Sequence, residues 1–179
     1  ENTVIHYLAD RMLVQAGLDL DDVVYESVPA IPNRFGLMME GQLGAAILPD
    51  PLAQAAIEAG AGLILDDTMF VEQQFSQSVL SFRNASLDEK PDSVRAFLRA
   101  WTRAVEALNA NPEGFRALWL ANVSVPDSVK ETYVIPPFPV GENTTEAVWE
   151  DVSNWLLERG IIEQAASYAD SVDNSFLTP

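Results

Sequence analysis

The sequence predicts an α/β fold, with a parallel-sheet half followed by a mainly helical half. Three observations carry this. Between Asn2 and Asp67, helical periods alternate with short apolar runs in the order α-β-α-β-α-β. Those runs are apolar almost throughout, as strands of a parallel sheet are when both faces are covered. From Pro91 the pattern changes to long amphipathic helices.

The first helix is expected from Asn2 or Thr3 to Ala16. Either residue can cap a free backbone N–H, and Ile5, Leu8, Met12 and Leu13 form one apolar stripe. Gly17 stops it, and Asp19 to Asp22 form an acidic turn. Val23 to Val28 is rich in β-branched residues and reads as a strand. Pro29 and Pro32 hand over to a helix near Asn33 to Glu40, and Gly41 ends that helix. Gly44 to Leu48 is the second strand, and Pro49-Asp50-Pro51 breaks it and opens the helix Leu52 to Ala59. Leu63-Ile64-Leu65 is the third strand, ending at Asp66-Asp67. A unit of this kind should open on a strand before its first helix, and the chain begins one strand late.

The expected boundary lies in Thr68 to Gln77, giving domains of 1–75 and 76–179. Ser78 to Phe82 reads as a further strand. Val94, Phe97, Leu98, Trp101, Val105 and Leu108 keep a helical period over one long helix, with Arg95, Arg99 and Arg103 on its solvated side. Shorter helices are expected from Pro112 to Leu120 and from Val125 to Lys130. Prolines exclude helix from Tyr133 to Pro139. Asn143 and Glu146 resemble a capping box before a helix that Gly160 ends.

Ten Lys and Arg stand against 27 Asp and Glu, a formal net charge of −17. Such a field repels nucleic acid and anionic membrane, so neither is expected as a partner. Cysteine is absent, which removes disulfides, thiolate metal sites and a thiol nucleophile. The single histidine, His6, lacks the nucleophile and orienting partner of a catalytic site and reads as structural or surface. With no nucleophile–base pair, P-loop or metal-ligand spacing, no enzyme activity, metal or cofactor is expected. Asp66-Asp67 reads as a turn. The glycosylation-type triplets at Asn84, Asn122 and Asn143 are too short to carry weight.

Two places have ligand-binding physics. A helix N-terminus offers unpaired N–H donors and the positive dipole end, so Asn2 and Thr3 suit an anionic or polar group. Ligands in open α/β folds bind beyond the carboxyl ends of strands, where Asp50 stands.

The segments Asn2 to Asp10, Gly41 to Ala46, Leu48 to Ala53, Lys90 to Phe97, Pro136-Pro137-Phe138, Trp155 to Gly160 and Val172 to Leu177 resemble, in order and spacing, the NMT1/THI5-like solute-binding proteins of ABC importers. The resemblance implies a periplasmic-binding-protein-like fold of two lobes with a small solute held between them. The solute would be a thiamine-precursor pyrimidine, a sulfonate, nitrate or similar, with ABC permease subunits as partners. It implies a periplasmic or extracellular location, lipid-anchored or secreted. It also implies that 1–75 is most of the second lobe, that 76–179 returns to the first, and that this is the C-terminal part of a protein whose N-terminal half completes the cleft. A ligand-sensing module of a regulator is the alternative, since similar folds serve there.

Overall fold

A computed structural model describes residues 3–69, 78–141 and 143–177. Its helices are α1 (Val4–Gln15), α2 (Ile31–Met39), α3 (Leu52–Glu58), α4 (Asn84–Glu89), α5 (Pro91–Ala110), α6 (Arg116–Asn122), α7 (Glu146–Glu158) and α8 (Tyr168–Ser171), with short 3-10 turns between several of them. The chain divides into two compact units. The first comprises 1–75 and 117–134, and the second 76–116 and 135–179.

The expected parallel sheet is not formed. Among the described residues 57% are helical and none is in a strand. The runs read as strands, Val23 to Val28, Gly44 to Leu48, Leu63 to Leu65 and Ser78 to Phe82, carry no ladder. Val24 is 96% exposed and Ile64 73%. The physical reason is that β-branched composition expresses fit to a half-buried pleated surface, not a backbone state of its own. A run with no neighbour to exchange hydrogen bonds with gains nothing from that fit.

In the first unit, side chains hold these runs instead. The Arg34 guanidinium, from α2, donates Nη2 and Nε to the Val28 carbonyl at 2.9 and 3.2 Å, and Nη1 to the Ile47 carbonyl at 2.9 Å. The Tyr25 hydroxyl donates to Asp10 Oδ1 on α1 at 2.7 Å. Both α1 and α2 end in the same way. Gly17 (φ 81°) and Gly41 (φ 73°) take the left-handed conformation in which an L side chain is strained. The next residue then closes back on the helix, Leu18 N–H to Leu13 O at 3.0 Å and Gln42 N–H to Leu37 O at 2.9 Å. Among the described residues of this unit, Tyr7, Met12, Ala55, Ala56, Val125, Val129 and Tyr133 are the buried apolar ones.

In the second unit, α5 packs against α4 and against the 3-10 turns Pro112–Phe115 and Asn174–Phe176. Val94 and Val105 of its apolar stripe are buried, whereas Phe97 and Trp101 are half-exposed. Arg95 lies over the Phe176 ring, 4.5 Å from its centroid. Helix α7 opens two residues later than the Asn143 reading implied. Thr145 is its cap and accepts from Val148 N–H at 3.3 Å. The helix expected from Val125 to Lys130 is reduced to a 3-10 turn over Asp127–Val129.

Candidate functional site

The sequence singles out Asn2, Thr3 and Asp50. Asn2 lies outside the described residues. Thr3 is the N-cap of α1, in extended conformation (φ −127°, ψ 168°), and its side chain makes no capping hydrogen bond. Thr3 is exposed and stands at the start of a 12-residue helix. That is the arrangement in which a helix terminus can receive an acceptor group.

Two turns further along α1 the environment closes. The Asp10 carboxylate is 1% exposed. It accepts from Tyr25 and lies 3.6 Å from His6 Nε2. The His6 ring meets the Tyr25 ring edge-on, with centroids 5.1 Å apart. His6 is thus built into the packing beneath the helix terminus, and its partners are a carboxylate and a phenol rather than a nucleophile.

Asp50 is exposed, at the turn into α3. Its Oδ2 accepts from Gln54 Nε2 at 3.2 Å. The same Gln54 amide bonds to Val134, donating to its carbonyl at 2.9 Å and accepting from its N–H at 3.0 Å. Tyr133 beside it is only 2% exposed and stacks on Trp119, with centroids 6.5 Å apart. Burial raises the Tyr133 phenol above its ordinary range, and the nearby Asp50 carboxylate raises it further. The Asp50 loop is therefore backed by a polar and aromatic group drawn from 117–134. Gln54 was detectable in principle as an i,i+4 partner of Asp50, but nothing local in the sequence pointed to Tyr133 or Trp119.

Thr3 and Asp50 both belong to the first unit, and no hydrogen bond or ion pair joins them among the described residues. Asp66 Oδ1 accepts from the N–H of Thr68 at 2.8 Å and from its hydroxyl, which makes a closed turn. Among the described residues, no group of three His, Cys, Asp or Glu side chains could hold a metal ion, and no helix is long and apolar enough to cross a membrane.

A family model described as NMT1-like matches residues 2–121. The chain belongs to the NMT1-like family. The match takes in Thr3, Asp50, Gln54 and Trp119 and ends before Tyr133. NMT1-like membership suggests a solute-binding rather than enzymatic role, with a small-molecule ligand and transporter partners, at a periplasmic or extracellular location. Neither a curated protein nor a solved structure matches the chain.

Proposed function

We propose that this NMT1-like chain binds a small polar or anionic solute as the substrate-binding component of an ABC importer, in a protein that is lipid-anchored or secreted. The observation that carries the reading is the family match across both candidate elements, the α1 terminus and the Asp50 loop. The uncapped Thr3 hydroxyl and the adjacent N–H groups suit a sulfonate, nitrate or other acceptor. Asp50, steadied by Gln54, suits an amine or hydroxyl donor. A ligand with both kinds of group, such as a thiamine-precursor pyrimidine, would use both. Asn2 is assigned with Thr3 on the same reasoning. The protein would deliver its solute to permease subunits.

The test is isothermal titration of the chain against an aminopyrimidine, taurine and nitrate. One of these should bind, and Thr3→Ala with Asp50→Ala should abolish the heat. An unchanged affinity in the double variant would remove both residues from the site.

A further inference from the structure

We propose that His6 and Asp10 form a proton-operated latch, which fastens the run Val23 to Val28 to α1 while the imidazole is charged and loosens it when the proton leaves. The latch needs no bound solute and stands apart from the binding reading.

Its geometry brings two side chains to one carboxylate oxygen. Asp10 Oδ1 accepts from the Tyr25 hydroxyl at 2.7 Å and lies 3.6 Å from His6 Nε2. The Asp10 side chain is 1% exposed and that of His6 9%. At 3.6 Å the imidazole is too far for a hydrogen bond and near enough for an ion pair. Its hold on Asp10 therefore depends on its charge, which changes between about pH 5 and 8.

A buried carboxylate is costly unless its charge is met. With the imidazole protonated, Asp10 has both an imidazolium and a phenol. With it neutral, the charge falls more heavily on the Tyr25 hydroxyl. The carboxylate then gains by turning towards water or by taking up a proton, and either weakens its charge-assisted bond to Tyr25. Tyr25 is one of two ties on its run. The other is Arg34 at the Val28 carbonyl, and Val24 between them is 96% exposed.

Two effects oppose the imidazolium. Burial disfavours its charge, and the N-terminal end of α1, about half a charge, repels it. A full charge at 3.6 Å, itself sealed from water, outweighs a partial charge spread over several N–H groups. Other charged and titratable groups among the described residues of α1 and the segments packed on it stand elsewhere. The Arg11 guanidinium lies over the Tyr7 ring, 5.6 Å from its centroid. Asp19, Asp21 and Asp22, at the 3-10 turn after α1, are exposed, as is Glu26.

The sign follows from linkage. An imidazolium that gains a partner on folding contributes stability below its titration, and that contribution is lost as pH rises through it. The experiment is NMR of the full chain, in which His6 is the one histidine and gives the only imidazole signal. Backbone order parameters of Val24 to Ser27 should stand near about 0.85 at pH 5.5 and fall below about 0.6 at pH 8, while those of α5 stay constant. His6→Gln should abolish this pH dependence, and Asp10→Asn should move the imidazole titration to lower pH. Circular dichroism checks that both variants keep their helices. If Asp10→Asn fails to fold, the comparison of wild type with His6→Gln decides alone. Order parameters equal at the two pH values, or falling equally in His6→Gln, overturn the latch. So does an imidazole titration that a folded Asp10→Asn leaves in place, or a fall that extends to α5, which is general unfolding.

Discussion

Gln54 holds Val134 by both of its backbone polar groups, accepting from the N–H at 3.0 Å and donating to the carbonyl at 2.9 Å. A side-chain amide has the same donor and acceptor as a peptide, so it can stand where a strand neighbour would stand. The second unit uses the same device. Asn109 accepts from Phe138 N–H at 2.9 Å and donates to its carbonyl at 2.7 Å. Both clamps act on the proline-rich run Tyr133 to Pro139, where the missing proline donors preclude a regular ladder.

Gln54→Ala should therefore destabilise the first unit. Each hydrogen bond contributes about 1 kcal/mol net, and Val134 is exposed enough for water to replace part of both. The expected loss is about 1–2 kcal/mol in urea unfolding followed by tryptophan fluorescence. Gln54→Glu should lose more, because it removes the donor to Val134 and sets a second carboxylate against Asp50. A glutamate variant as stable as wild type would show that the clamp is incidental.

Arg34 makes the complementary prediction. Its guanidinium reaches two carbonyls from one plane, Val28 and Ile47. A lysine ammonium keeps the charge but lacks the fixed fork. Arg34→Lys should cost about 1–3 kcal/mol and speed amide exchange between Val23 and Leu48. Wild-type exchange rates there would exclude Arg34 as the tie.

These two ties explain what the sequence could and could not convey. Helices α1, α3 and α5 were legible because their signals are local: an apolar stripe at helical spacing, a capping residue, and a glycine or proline at the end. The strands were not, because pairing is non-local. Val23 to Val28 has strand composition, yet its carbonyl goes to an arginine side chain. Gln54 and Val134 are separated by 80 residues, and no short pattern joins them. The stripe on α5 misleads for a related reason, since periodicity shows that Phe97 and Trp101 are apolar but not that anything covers them. Of the site, Thr3 and Asp50 were visible as residues at element ends, and their supports were not.

Tyr133 predicts a loss of stability at alkaline pH. Its folded phenol is raised above the ordinary value of about 10, first by burial and then by Asp50. A group whose folded pKa is raised contributes stability that is complete below its unfolded pKa and is lost as pH rises through the folded one. Unfolding free energy should thus fall above about pH 10, and Tyr133→Phe should lessen the slope. Near-UV absorbance should show one tyrosine ionising late, and Asp50→Asn should bring it earlier. An identical titration in Asp50→Asn would place the carboxylate too far from the phenol to matter.

Tyr25 bears on the proposed anion end. Its hydroxyl donates to a carboxylate that is 1% exposed, two turns below Thr3 on α1. Hydrogen bonds to charged groups are worth about 1.5–3 kcal/mol, and phenylalanine keeps the ring that meets His6 while removing only the donor. Tyr25→Phe should therefore cost about that amount without changing helix content. Asp10→Asn in the Tyr25→Phe background should recover part of the loss, because it removes the charge the phenol served. The double-mutant cycle measures that coupling directly. A coupling near zero would mean that Asp10 is held by its other surroundings, and that the segment Val23 to Val28 is not fastened to α1 through this pair.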